Sequence, residues 1–229
     1  MPLEPVTDHD FTKLGIDQAQ RLLRNQGAVF QGCCFDGMHL LDIQMDDLEF
    51  SKCSFLNTVF HGAELNACTF DKCNLAGANF GHSRLETVCF DTCNCVGIDF
   101  AQATLTDSVF KGSKMTGAML KDLRSLNLNI DYTIFESADL GGIYLKGQHV
   151  IGVDFSNADL SGADLRGCIF EKCWFINTEF RGAKMASADF RASRLGETPL
   201  HDIARDMKGA IVSNAQAAEI LQFYGLVVL

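Results

Sequence analysis

Ten cysteines and six histidines are the side chains of this sequence that could hold a metal, carry a reactive thiolate or move a proton. Their spacing argues against each use. Zinc and redox thiols come as pairs separated by two residues, whereas Cys68 and Cys73, like Cys168 and Cys173, are five apart. His9, His39, His61, His82, His149 and His201 are scattered, with no two at ligand spacing. No glycine-rich phosphate loop precedes a helix, and no G-x-S-x-G nucleophile motif is present. A catalytic residue, a metal and a cofactor are therefore not expected. The carboxylates are different: Asp99, Asp139, Asp159 and Glu179 recur at multiples of twenty. Met119 interrupts them, with Asp122 close by. A row of like charges makes and breaks no bonds. It offers a negative surface to a basic partner.

The element that must position these residues is a repeat, seen most clearly in Ala158 to Gly167, ADLSG-ADLRG. Every fifth residue from Phe30 to Leu195 is apolar at 33 of 34 positions, all of them large except Cys95, with Ser125 the exception. The position two before is Ala, Cys, Ser or Thr in 24 of 34 cases, and the position two after holds 13 of the 20 glycines. Period five fits neither an α-helix nor a flat strand. It fits a chain that turns a corner every five residues, burying one large and one small side chain per side, with a left-handed residue at the turn. A second period of twenty links Phe30, Phe50, Phe70, Phe90, Phe110, Phe170 and Phe190, so four sides close one coil and like side chains stack along an inner column. Cys33, Cys53, Cys68, Cys73, Cys93, Cys168 and Cys173 then take the small inward position and Cys95 the large one, which makes them packing residues.

This pattern resembles the pentapeptide-repeat proteins, whose unit is written A(D/N)LxG, over about three quarters of the chain. The resemblance implies an all-β solenoid, a right-handed quadrilateral β-helix. Residues 28–200 would form that rod. Residues 1–27 would be an N-terminal cap, read either as a short helix started by Asp17 with Gln20, or as a degenerate coil suggested by Phe11 and Ile16. Residues 201–229 would form a C-terminal capping and dimerisation module. Within it, Ser213 with Gln216 forms a capping-box pattern, and Ala217, Ile220, Leu221 and Tyr224 follow at helical spacing. Gly225 ends the helix, and Leu226 to Leu229 form an apolar tail.

The ending SNAQAAEILQFYGLVVL resembles that of the Qnr-type and related topoisomerase-protecting members. That resemblance implies a homodimer through Ala217, Ile220, Leu221, Tyr224, Leu226 and Val228. It also implies a DNA-mimicking rod that engages DNA gyrase or topoisomerase IV and protects it from quinolones or natural-product poisons, including in self-immunity. The Qnr branch breaks its frame with projecting loops, whereas this frame runs from Phe30 to Leu195 without insertion. A structural or interaction scaffold with an unrelated partner is the alternative.

Composition bounds these readings. The net charge of −10 leaves no basic stripe for direct nucleic-acid binding. No 18-residue apolar run and no signal-peptide pattern is present, so a soluble cytoplasmic protein is expected, with no membrane contact. About 8.5 coils at about 4.8 Å give a rod of roughly 41 Å. Duplex DNA of that length carries about 24 charges. Mimicry would therefore be local, on the face bearing Asp99, Asp122, Asp139, Asp159 and Glu179, unless Asp merely fills its consensus slot. Arg84, Arg124, Lys146, Arg166 and Lys184 fall in a different column. One stretch, 121–133, departs from the pattern: Ser125 sits where a large apolar residue belongs, and Leu123 and Leu128 sit where small ones belong. Gln148 and Val153 repeat the disturbance. The rod should bulge or bend there, by local repacking or as a binding feature.

Overall fold

Every fifth residue from Gly27 to Ser187 has a positive φ, between about 50° and 77°. This is the left-handed turn that the period demanded. Glycine adopts it without strain, but Asp, Asn, Lys, Thr, His and Tyr adopt it here as well, Thr87 at 55° and Tyr132 at 60° among them. A left-handed non-glycine residue costs about 1–3 kcal/mol. At almost every corner the backbone N–H is engaged, donating to the carbonyl 19 residues onward, as in Gly37 to Leu56 (2.8 Å), Asn57 to Ala76 (2.9 Å) and Thr92 to Lys111 (2.8 Å).

The computed structural model describes residues 4–196 and 207–228. Its strands in chain order are β1 (Val6–Thr7), β2 (Val29–Gln31), β3 (Gln44–Asp46), β4 (Glu49–Ser51), β5 (Glu64–Asn66), β6 (Thr69–Asp71) and β7 (Arg84–Glu86). They continue with β8 (Cys89–Asp91), β9 (Thr104–Thr106), β10 (Val109–Lys111), β11 (Arg124–Leu126), β12 (His149–Ile151), β13 (Ile169–Trp174) and β14 (Asp189–Arg194). Pairing is parallel throughout, and most pairs join residues twenty apart, such as Phe30 with Phe50 and Leu65 with Leu85. The result is the right-handed four-sided β-helix. The first face (Phe30, Phe50, Phe70) is the sheet β1-β2-β4-β6-β8-β10 and, further on, β12-β13-β14. The second (Phe35, Phe55) and third (Leu40, Phe60) are joined by single bridges. The fourth (Met45, Leu65) is the sheet β11-β9-β7-β5-β3.

Inside, Phe30, Phe50, Phe70, Phe90 and Phe110 stack at 5.0–5.1 Å, and a second series runs through Phe135, Phe155 and Phe175. Offset aromatic pairs at this distance contribute about 0.5–1.5 kcal/mol each beyond area burial. The small inward residues do a second job. The Sγ of Cys53, Cys73 and Cys93 donates to the carbonyl of Phe30, Phe50 and Phe70, and Ser113 Oγ continues the column to Phe90.

Both ends modify the frame. At the N-terminus the two alternatives coexist. β1 pairs with β2, and Phe11 stacks on Phe35 at 4.3 Å, so residues 6–11 form part of an extra coil. Helix α1 (Ile16–Leu23) follows and buries Ala19 and Leu23. Its N-cap is Gly15, with no side-chain cap, so Asp17 sits in the first turn and does not cap it; Ile16 is exposed. Gly27 already turns a corner of the rod and donates to Asp47. At the other end the expected boundary between 200 and 201 lies outside the described residues. Beyond them, Ile211 pairs with Asp189 and exchanges backbone bonds with Ala188 (2.8 Å) and Phe190 (2.9 Å), so one more side is laid on the rod.

Eight of the ten thiols are buried, while Cys34 and Cys89 are half-buried. Burial pushes Cys68, Cys168 and Cys173 up to about 11. Thiol labelling of the native protein at pH 8 should therefore reach Cys34 and Cys89 first and leave the other eight untouched until denaturant is added. Mass mapping that finds Cys68 or Cys173 labelled in the native state would contradict this packing.

Candidate functional site

The spacing of twenty that picked out the carboxylates corresponds to one physical ladder. Single bridges link His39, Val59, Asn79, Asp99, Met119, Asp139, Asp159 and Glu179 in sequence along the third face. Asp99, Asp139, Asp159 and Glu179 thus stand in one column, with Met119 exposed within it. Asp122 lies at the adjoining corner, exposed, with φ 57°.

Each carboxylate in the column also has a structural task. One oxygen of Asp99, Asp139 and Asp159 accepts from the backbone N–H two residues on, at Ala101 (2.8 Å), Gly141 (3.0 Å) and Ser161 (2.8 Å). Glu179 does the same for Arg181 (3.1 Å). This is the Asx-turn geometry that fixes a corner, and Asn79 performs it without charge towards Gly81 (2.8 Å). The consensus preference for Asp or Asn therefore has a local cause. It explains the shape of the side chain, but not why three of the last four coils of this column carry Asp or Glu rather than Asn.

The third face is the most acidic of the four. Among the described residues, Asp42, Asp99, Asp122, Asp139, Asp159 and Glu179 are opposed there by Lys121 and Arg181 alone. The basic residues expected in one separate column occupy two, Arg84, Arg124 and Lys184 in one and Lys146 and Arg166 in another, both on the fourth face, whereas Arg181, not among them, stands on the third. Its Nε lies 3.7 Å from Glu179, so the last carboxylate is partly compensated. The twenty-residue period, applied to position 181, would have found it. On the fourth face Arg84 lies 3.8 Å from Glu64, and Arg166 forms a short pair with Asp164 at 2.6 Å. The Arg166 guanidinium holds the Asp164 carboxyl below its usual range. His61 and His82 sit at the N-terminal half of the acidic face with ring centroids 4.9 Å apart. Among the described residues no three His, Cys, Asp or Glu side chains converge as a ligand set. Among the described residues no helix is long and apolar enough to cross a membrane.

The second predicted site is helix α2 (Asn214–Phe223) and its tail. Ser213 is the N-cap of a complete capping box with Gln216, with bonds of 3.2 Å and 2.8 Å. Gln216 does more than its pattern indicated. It is buried, and its Nε2 donates to the carbonyls of Phe190 (2.9 Å) and Ser193 (2.7 Å). One side chain thus closes two open acceptors of the last coil. Of the expected interface residues, Ala217, Ile220 and Leu221 are half-buried, and Tyr224, Leu226 and Val228 are exposed. Phe223 and Val227, which were not singled out, are exposed beside them.

Comparison with known proteins bears on the fold. The family model described as pentapeptide repeat region matches residues 43–120, and that for pentapeptide repeats (8 copies) matches 138–175 and 158–200. No curated protein matches the chain. Among solved structures, a trypsin-treated form of QnrB1, a plasmid-mediated fluoroquinolone resistance protein, aligns with a TM-score of 0.75 at 20% identity, over 88% of this chain and 100% of that one. Full-length QnrB1 aligns with a TM-score of 0.61 at 21% identity, over 84% and 100%. A pentapeptide repeat protein from the Arabidopsis thaliana thylakoid lumen aligns at 0.45 and 22% identity, over 49% and 77%. At these identities the likeness is one of fold.

Gln216→Ala leaves the Phe190 and Ser193 carbonyls without their donor in a buried position. It should lower unfolding stability by about 1–3 kcal/mol, measured by chemical denaturation. A change under about 0.5 kcal/mol would show that the closure lies elsewhere.

Proposed function

Since the chain belongs to the pentapeptide-repeat proteins, we propose that it is a binding protein that sets its acidic third face into the basic DNA-binding saddle of a type II topoisomerase, gyrase or topoisomerase IV, in the cytoplasm. Bound there, it protects the enzyme from antibiotic poisons. The observation that carries this reading is the continuous ladder of Asp139, Asp159 and Glu179 beside Asp122 and Asp99. Charges one coil apart repeat at about 4.8 Å, against about 3.4 Å for the phosphates of one DNA strand. One face thus approximates one strand, which is the local mimicry that a net charge of −10 permits.

Two further features support it. The corner sequence from Gly27 to Ser187 is uninterrupted, so no loop projects from this stretch and recognition falls to the flat faces. The cluster Phe223, Tyr224, Leu226, Val227 and Val228 is a contiguous apolar end of the kind that a second copy covers. A symmetric dimer through it doubles the length of acidic surface. The similarity to QnrB1 supports quinolones as one class of poison, and the unbroken frame supports natural-product poisons as the other.

Replacing Asp139 and Asp159 by Asn and Glu179 by Gln removes three charges and keeps the acceptors that fix the corners. Stability should move by less than about 1 kcal/mol. Protection of purified gyrase supercoiling across a panel of poisons should fall steeply, and residual binding should depend less on salt. A folded triple variant that protects as well as the parent would remove the acidic face from the mechanism. A parent protein without effect on either topoisomerase would remove the reading itself.

Leu226→Asp with Val228→Asp should give a folded monomer by sedimentation velocity, because it places charge in the apolar end. An unchanged mass would mean that this end is not the interface.

A further inference from the structure

Among the described residues the hydrogen-bonded ladder between coils loses several successive rungs at one place. On the fourth and first faces, the rungs expected from Tyr144 N–H to Leu123, His149 N–H to Leu128, Asn127 N–H to Lys146 and Ile130 N–H to His149 are all missing among the described residues. Their equivalents one coil earlier are present, Arg124 to Ala103 (2.9 Å) and Asn129 to Ser108 (3.0 Å). So are those one coil later, Asp164 to Ile143 (2.9 Å) and Ile169 to Gln148 (2.9 Å). β11, on the fourth face, and β12, on the first, are accordingly the end strands of their sheets, with no strand paired to β11 from 144–146 or to β12 from 129–131. On the first face a single side-chain bond, Ile151 N–H to Asp131 Oδ1 (2.9 Å), still crosses the seam. A crevice of about 240 Å³ opens between Leu128, Asn129 and Ile130 on one side and Gln148 and His149 on the other. Across the other two faces the same coils remain bonded, through Phe135 to Asp154 (2.7 Å), Leu140 to Asp159 (2.8 Å), Asp154 to Thr133 (3.1 Å) and Asp159 to Ala138 (2.9 Å).

Side-chain volume explains the gap. At the small inward position of one corner the column reads Ile43, Ala63, Ser83, Ala103, Leu123, Ile143, Ala163 and Ala183. At the next corner it reads Leu48, Cys68, Val88, Ser108, Leu128, Gln148, Cys168 and Ala188. Large residues elsewhere in these two columns stand alone. Leu123 over Ile143 and Leu128 over Gln148 are the two places where large side chains fall in consecutive coils. Each pair demands more than one coil spacing, and interiors transmit such strain. Between them Ser125 replaces the large residue that would have filled the centre. It is half-buried, and its hydroxyl makes a long 3.4 Å contact with the Tyr144 carbonyl.

We infer that the rod is two rigid stacks joined by a hinge: the coils of 121–140 and 141–160 stay bonded along the second and third faces and open and close along the fourth and first. Two large-on-large pairs hold the seam apart, and the unpaired edges of β11 and β12 make opening inexpensive. The inference does not depend on which protein the rod binds.

Hydrogen exchange of the intact protein, resolved to single amides, tests it. Tyr144 and His149 should exchange at least about tenfold faster than Arg124, Asn129, Asp164 and Ile169, while Asp154 and Asp159 on the spine stay protected. Motion, as distinct from a fixed gap, is read at Tyr132. Its N–H is bonded to Ile151 (2.8 Å) at the margin of the seam, as that of Gly152 is to Glu171 (2.8 Å) away from it. A working hinge makes Tyr132 exchange about tenfold faster than Gly152. Equal protection of the two would mean a static gap, and Asp154 exchanging as fast as Tyr144 would mean a melted coil; either overturns the inference. The variant Leu123→Ala, Ser125→Leu, Leu128→Ala restores the regular pattern on one side of the seam. It should slow exchange at Tyr144 and His149 by about tenfold, whereas loosening of the seam by the same changes would contradict the wedge.

Discussion

Everything in this molecule depends on one coil-to-coil bond: the corner N–H that donates to the carbonyl 19 residues later. It turns a strained left-handed residue into a rung of a parallel ladder. Threonine and tyrosine can occupy corners because the rung, the stacked column beneath it and the neighbouring Asx turn act together. No coil buries its apolar face alone, so stability is a sum over neighbours. The same dependence makes the rod sensitive at its ends and at any interruption. Gln216 satisfies two carbonyls of the last coil for this reason, and Phe11 lies flat on Phe35 at the first.

Much of this was legible in the sequence because a period of five has few physical solutions. The inward column, the buried cysteines and the acidic row all follow from counting by fives and twenties. What was not legible lies where the count changes. The N-terminal residues join the rod with an offset of 24, as in Val6 against Phe30, because α1 is inserted within the coil. The spacing of Phe11 to Ile16 therefore suggested the right kind of element with the wrong partner, since Phe11 stacks on Phe35 and Ile16 faces water. Gln216 was recognised from its capping box, but its second role needs the carbonyls of Phe190 and Ser193, which no local pattern reveals. Arg181 was within reach of the period, which places it on the third face, away from Arg84, Arg124 and Lys184 on the fourth.

The irregular stretch shows the same limit from another side. Ser125, Leu123 and Leu128 were visible as misfits one at a time. Their consequence depends on what stands above them, namely Ile143, Leu145 and Gln148. An isolated large residue at a small position, such as Leu48 or Val88, leaves the ladder intact, with Thr69 bonded to Leu48 at 2.8 Å and Val109 to Val88 at 2.9 Å. Two in succession do not. Packing in a solenoid is thus a nearest-neighbour property, and misfits must be scored in pairs down a column.

The position of the seam ties mechanics to the acidic face. The unbroken corner, between the second and third faces, lies beside the carboxylate column, and the rungs Leu140 to Asp159 and Asp159 to Ala138 belong to that column itself. Opening along the opposite corner therefore bends the rod about its acidic edge. Asp139 and Asp159, on the two coils that meet at the hinge, keep their separation while the column above and below them tilts. A rigid rod would have to match the curvature of its partner in advance. A rod hinged beside its charged edge can change curvature without breaking any bond that holds the carboxylates in line.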